Sequence, residues 1–328
     1  MHEIHADNVI DFLRERGWIE RTASAHASEL GWGVSNVVLR VEVVAGPVLV
    51  VKQVRERLRV AVEWTSRLDR IWIETAALRL LGEILEPGAV PRVLFEDREH
   101  FVYAMSAAPD RSRVWKEMLL EGDQDAELSE RAGALLAQMH RRSLDRPELT
   151  VGPLVDRQVF DQLRIDPFYR TLSKRRPEWT DPLQELIDSL EHPSTTSFVH
   201  ADFSPKNLLI APDRSITVVD FETAHAGDPS FDVGFFLSHL FLKARRTGRT
   251  DPKGHELVLR AWQGYATTRG AVDVDFERRA ARHLAACSLA RIEGKSPVDY
   301  LVDEAKQRLL KSAFSRLQSE TIEQAVSE

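Results

Sequence analysis

Apolar and polar positions divide the chain into an early part with a short period and a later part with a helical one. Val37 to Val44 and Val48 to Val54 are largely apolar runs on either side of Gly46-Pro47, which predicts a hairpin. Val90 to Glu96 and His100 to Met105 predict two further strands. Two helices interrupt them. Asp7 to Arg16 places Val9, Ile10 and Leu13 on one face and ends at Gly17, and this helix is expected on the outside of the first lobe. Arg67 to Leu85 carries Ile71, Leu78, Leu81 and Leu85 at helical spacing and is broken by Pro87-Gly88. The small residues Ser106-Ala-Ala-Pro109 then read as a linker. Beyond them, Ser129 to Ser143 lines up Ala132, Leu135, Leu136 and Met139, and residues 152–191 read as helices punctuated by prolines. Phe231 to Leu242 is apolar but too short to span a bilayer, so it is expected to be a buried helix. The closing stretch SETIEQAVSE is expected to fray. The pattern predicts an α+β chain, with a small β-rich lobe over residues 1–105 and a larger helical lobe over residues 106–328.

The densest chemistry lies between Ser197 and Leu242, in SFVHADFSPKNLLIAPDRSITVVDFETAHAGDPSFDVGFFLSHLFL. A strand ends at His200 and a tight loop runs through Asn207. Strands Leu208 to Ile210 and Ile216 to Val219 then return the chain to a polar turn at Asp220. Asp202 and Asn207 stand in H-x-D-x-x-x-x-N, and the hairpin brings Asp220 beside them. Phosphoryl transfer needs such a set: one carboxylate to take a hydroxyl proton, and an amide and a second carboxylate to hold Mg²⁺. A single aspartate after a strand is more often a turn or helix cap; two aspartates and an asparagine at this spacing favour catalysis.

Upstream residues fit the same chemistry. Gly31 and Gly33, followed by Ser35 and Asn36, offer backbone and side-chain donors to triphosphate oxygens, although a lone G-x-G also suits an ordinary turn. Lys52 sits in an apolar strand, where its ammonium needs an anion. Glu74 on the following helix is the expected ion-pair partner, ahead of Glu63 and Glu83, and residues 55–70 read as a solvated, charged extension. Met105, Ser106 and Ala107 would contact adenine between the lobes, with Met105 also suited to plain core packing. His140 fits a hydrogen-bonded structural histidine.

Composition sets the bounds. The chain has 328 residues, 43% hydrophobic and 29% charged, enough for a large core and long enough for two lobes. A net charge of −7 gives no reason to expect nucleic acid or an anionic membrane as partner, and leans toward neutral or cationic small molecules. No obligate protein partner is indicated. The single Cys287 cannot form an intramolecular disulfide and reads as a core residue in a reducing cytoplasm. MHEIHADN has neither the basic nor the apolar region of a signal peptide.

Together, Gly31-x-Gly33-x-Ser35-Asn36, Lys52, Glu74, His200-Ala-Asp202-Phe-Ser-Pro-Lys-Asn207, Asp220-Phe-Glu222 and Gly227-Asp228-Pro229-x-x-Asp232 resemble the aminoglycoside phosphotransferase and choline kinase-like superfamily. The resemblance implies a two-lobed protein-kinase-like fold with ATP between the lobes. By position it implies that Asp202 is the base, Asn207 and Asp220 are metal ligands, Lys52 is the triphosphate contact, and Asp232 braces the catalytic loop. Glu222 completes a D-x-E that looks like methylthioribose and choline kinases. Gly227 follows Asp220 by seven positions, too few for an activation segment, so a protein kinase is disfavoured. The expected activity is ATP- and Mg²⁺-dependent phosphorylation of a small-molecule hydroxyl. The rival is a nucleotide-binding regulatory protein that keeps the fold without catalysis. Lys206 is equally suited to contacting the transferring phosphoryl group or to solvent, and His225, His239 and Glu222 are candidates for the acceptor side, with core or capping roles the simpler reading of the histidines.

Overall fold

The computed structural model describes residues 3–31, 36–54, 67–247, 251–270 and 272–327, so Gly33, Ser35, Glu63 and most of the charged extension lie outside the described residues. The first lobe is an antiparallel five-stranded sheet in the order β1-β2-β3-β5-β4. Its strands are β1 (Ala25–Glu29), β2 (Asn36–Val43), β3 (Val48–Val54), β4 (Val93–Asp97) and β5 (Val102–Ser106). Side chains alternate between faces along a strand, and that alternation decides what each face covers. Val37, Leu39, Val41, Leu49 and Val51 point to one side, where helix α1 (Val9–Glu15) buries Val9, Phe12 and Leu13 against them. Val50, Val54, Tyr103 and Met105 belong to the other side, packed with helix α2 (Arg70–Ile84) and continuous with the core of the second lobe.

The sheet has one strand more than the sequence pattern predicts. β1 pairs only with β2 and carries His26, Ser28 and Glu29, so it is a polar edge strand with no apolar alternation to betray it. Ser106 ends β5, hydrogen-bonded from its backbone N–H to Arg92 O at 2.9 Å, and the linker starts one residue later.

In the second lobe, β6 (Arg113–Val114) leads into α3 (Trp115–Glu121), and α4 (Ala126–Arg142) follows, its N-terminus capped by Asp125. Helix α4 lies so close to the helix Pro252–Arg269 that a Cβ on Gly133 would fall 1.9 Å from Ala261 O. Only glycine permits that approach. β6, β8 (Leu208–Ile210) and β9 (Ile216–Val218) form a small sheet, and β7 (Ser197–Val199) pairs with β10 (His225–Gly227). The helix Ser230–Ala244 is buried along its whole length, as its largely apolar run predicts, and packs on the helix Val274–Glu293. No helix among the described residues is long and apolar enough to cross a membrane.

One expectation is overturned. The terminal stretch does not fray: it forms the helix Ile322–Val326, with Ile322, Ala325 and Val326 buried. Arg245 and Arg316 donate to the carbonyls of Val326 and Ala325, and Glu277 accepts the Ile322 N–H at 3.0 Å. Those partners come from distant parts of the chain, which is why the local sequence hides the anchoring.

Candidate active site

The loop after β7 is held from below by one carboxylate. Asp232, near the start of the helix Ser230–Ala244 and fully buried, accepts the His200 N–H at 2.7 Å and the Ala201 N–H at 2.8 Å. It also pairs with His140 Nε2 at 3.2 Å, and His140 Nδ1 meets the Tyr265 hydroxyl at 2.9 Å. His140 is thus the hydrogen-bonded structural histidine its sequence context suggests. Burial alone would raise the Asp232 carboxyl, but its hydrogen bonds and the nearby imidazoles lower it, so it stays an acceptor. The same grip keeps Ala201 at φ +60°, a left-handed backbone that costs on the order of 1 kcal/mol or more. Asp220 also adopts this region, at φ +70°.

The loop then delivers Asp202 and Asn207 together. Asn207, closing a short helical turn Pro205–Asn207, donates its Nδ2 to both the backbone O and the Oδ2 of Asp202 at 2.9 Å. That leaves Oδ1 as the remaining acceptor of Asn207. Lys206 Nζ lies 2.8 Å from Asp202 Oδ2, and Arg164 Nη2 lies 2.7 Å from Asp202 Oδ1. Burial works to raise the Asp202 carboxyl, but the two cations outweigh it and hold the group below the usual carboxylate range.

On the sheet side, β3 carries Lys52 into the interior at 4% exposure, where α2 supplies Glu74 at 2.7 Å. Asp220, at the turn after β9, meets the same ammonium at 2.9 Å. Burial opposes both charges, yet Lys52 and Lys206 keep the Asp220 carboxyl well below its ordinary value, while Asp220 and Glu74 keep the Lys52 ammonium well above its own. Between the lobes lies a cleft of about 360 Å³. Lys52, Glu74, Met105, Ser106, Ala107, Asn207 and Asp220 all line it, together with apolar Val38, Leu209 and Val219. Gly31 is exposed and is not among the lining residues, and Asp202 stands beyond the cleft's inner end, joined to it by Asn207. Two hard oxygen donors, the Asp220 carboxylate and the free Asn207 amide oxygen, suit a magnesium ion that takes its other ligands from phosphate and water.

Two features were not read from the sequence. Arg164 belongs to the helical segment Asp161–Arg170 and also donates to Ala201 O at 2.6 Å; nothing in its spacing ties it to a loop far along the chain. Glu222 is not on the acceptor side: it accepts from Asn36 Nδ2 at 3.0 Å and Arg70 Nε at 3.3 Å, and so links β2 and α2 to the turn that carries Asp220. The D-x-E pattern marks it, but not its partners. Asn36 accordingly faces this carboxylate as well as the cleft. His225 and His239 are buried and neutral, with His225 pushed down to about 4 by burial and stacked on Phe160 at 4.1 Å.

Residues 26–272 match the profile of the phosphotransferase enzyme family, three quarters of the chain. The chain belongs to that family. The expected enzyme class, a small-molecule kinase of two-lobed α+β architecture, therefore stands. This phosphotransferase is 27% identical over 331 residues to a methylthioribose kinase of Exiguobacterium sibiricum, across 92% of this chain and 79% of that protein. It is 25% identical to the methylthioribose kinase of Bacillus mycoides, and there it spans only 65% of the relative's length. Among solved structures, an amicoumacin kinase bound to AMP-PNP and Ca²⁺ has a TM-score of 0.59 at 14% identity, over 97% of this chain and 98% of that one. A choline/ethanolamine kinase family protein from Mesorhizobium loti has a TM-score of 0.56 at 18% identity, over 97% of both chains. These likenesses establish the fold.

Proposed function

We propose that this phosphotransferase moves the γ-phosphoryl group of ATP to a hydroxyl of a small molecule, with Asp202 as base and with Asn207 and Asp220 as the ligands of Mg²⁺. The observation that carries the reading is the bond from Asn207 to Asp202, which fixes the base at the inner end of a cleft whose floor holds Lys52 and Asp220. Adenine would lie against Met105, Ser106 and Ala107. Bound Mg²⁺ would neutralise charge on the triphosphate. Lys52, braced by Glu74, contacts the phosphates, and Lys206 is placed to meet the group in transit. The acceptor oxygen bonds to the γ-phosphorus as the bond to the bridging oxygen of ADP breaks. Its proton passes to Asp202, which the neighbouring cations keep ionised, and then to solvent. Most of the rate comes from positioning and electrostatics. A cytoplasmic activity fits the use of ATP and a free, buried Cys287. Methylthioribose kinases among the relatives and antibiotic kinases among the structural neighbours make thiosugars and antibiotics the first acceptors to try.

The test is Mg²⁺-dependent ATP consumption across thiosugars, amino alcohols, aminoglycosides, macrolides and homoserine, with Asp202→Asn alongside. Removing the base should lower kcat by about 10²–10⁴ while nucleotide affinity stays the same. Turnover unchanged by Asp202→Asn would remove Asp202 from the chemistry. Failure of the native protein to bind ATP would remove the whole reading.

A further inference from the structure

From Lys206 at the edge of the nucleotide cleft and onward beyond Asp202, positive charge accumulates without matching carboxylates. His239, on the helix Ser230–Ala244, packs its ring 4.8 Å from Phe235, over which the Arg164 guanidinium lies at 5.3 Å, and its carbonyl accepts from Lys243. After burial, Lys243, Arg291, Lys206 and Arg164 all drive its imidazole further down. Arg164 and Lys206 share the single carboxylate of Asp202. The other two cations have none among the described residues. Lys243, 8% exposed, donates only to His239 O at 3.1 Å, with the Tyr300 ring 5.2 Å away. Arg291, near the end of the helix Val274–Glu293, donates only to Ser296 Oγ at 3.1 Å. Three polar atoms here are buried with no hydrogen-bond partner among the described residues: Arg291 Nε, Tyr300 OH and His239 Nε2.

Nearby acids do not restore the balance. Asp166 is held by Lys295 at 2.5 Å, and Asp299 is exposed on the loop. Burial pushes the Lys243 ammonium down to about 7, with Lys116 and Arg291 adding repulsion, and it lowers Arg291 as well. Burying cations without anions is costly, and unsatisfied donors add to the cost. The arrangement becomes favourable once an anion with several acceptor oxygens joins it. The cluster is open to solvent at half-exposed Lys206 and at partly buried Arg164, Arg291 and Tyr300, and it sits next to the oxygen atoms of Asp202.

We propose that this cluster binds an anionic group of the acceptor, so that the molecule phosphorylated is a hydroxylated carboxylate or phosphate ester rather than a neutral sugar or an amine. This reading rests on the kinase assignment above. It reverses locally what the net charge of −7 suggests for the whole chain. The local field at the base, not the sum over the surface, selects what approaches it.

The test uses four compounds that share a small polyol frame and differ in charge: glycerate, glycerol 3-phosphate, glycerol and serinol. Binding is measured by ligand-observed NMR on the whole chain saturated with Mg·ADP, so that the nucleotide site is closed to the anions. Glycerate or glycerol 3-phosphate should bind at least tenfold more tightly than glycerol and serinol, and whichever of the two is preferred names the group. Arg291→Gln and, separately, Lys243→Met should each reduce that preference to threefold or less. A thermal melt confirms that each variant is folded. Equal binding of all four compounds, preference for serinol, or a preference unaffected in both folded variants would overturn the proposal. ATP consumption on the same compounds separates the two readings. Anion binding without ATP turnover, on these compounds and on the wider panel above, leaves the cluster standing and counts against the proposed reaction. Turnover confined to neutral or cationic compounds does the reverse.

Discussion

The two sides of Asp202 handle charge in opposite ways. On the nucleotide side, Lys52 is matched by two carboxylates, Glu74 at 2.7 Å and Asp220 at 2.9 Å. On the other side, Arg164, Lys206, Lys243 and Arg291 have Asp202 as their one carboxylate contact among the described residues. A site that must receive a polyanion together with its own cations can be built from paired charges, because arriving ions replace partners already present. A site with unpaired cations is preorganised for one anion and is penalised while it waits. The first arrangement is shaped by chemistry common to every turnover, the second by the identity of one acceptor. Asp202, the proposed base, stands where the two fields meet.

This contrast can be broken or sharpened by substitution, beginning with the strongest case. Asp220→Asn removes one of the two proposed Mg²⁺ ligands and should cut kcat/KM by about 10²–10³ in a steady-state ATP assay, with partial recovery at raised Mg²⁺. No Mg²⁺ dependence of the defect would show that Asp220 acts only through Lys52. Asp232→Ala strikes the support common to both sides. It leaves His140 Nε2 and two backbone N–H groups without their acceptor, and urea unfolding should show a loss of about 3–5 kcal/mol. A loss under 1 kcal/mol would mean that the loop is held by other contacts.

The acid response belongs to the helical lobe. Burial holds His225 at about 4 and His283 at about 3, so the native state binds fewer protons than the unfolded chain once the pH falls below about 6.5. Stability then decreases as the pH drops. Between pH 6.5 and 5 each of these histidines should cost about 1.5 kcal/mol, measured as the fall in urea midpoint at constant m. His225→Phe should flatten the slope by one histidine's share, and an unchanged slope would place the titration elsewhere. The smallest effect is expected at Arg164→Gln, which loosens the acceptor side alone. It should lower kcat about tenfold and leave the KM for ATP unchanged. A matching rise in the KM for ATP would merge the two sides into one.

Much of this site is legible in the chain because its parts are set by short-range rules. H-x-D-x-x-x-x-N fixes Asp202 and Asn207 on one loop, and the apolar strands on either side of Ser215 return Asp220 to it. A lysine inside an apolar strand announces a buried anion, and the helix that follows supplies Glu74. The edge strand Ala25–Glu29 escapes such reading because half of its residues face water and it pairs on one side only. The terminal helix Ile322–Val326 escapes it because its anchors, Arg245, Glu277 and Arg316, act across the fold.

The sequence by itself determined the α+β class, most of the strands and helices, and the loop on which Asp202 and Asn207 stand, since period, turn residues and motif spacing are all local properties. Only the tertiary structure decided that Arg164 grips Asp202, that Glu222 ties Asn36 and Arg70 to the turn of Asp220, and that buried Lys243 and partly buried Arg291 have no carboxylate partner among the described residues. Those facts depend on which distant segments pack against one another. The energy of a charge depends on its neighbours and its burial, and neither is written in the order of residues.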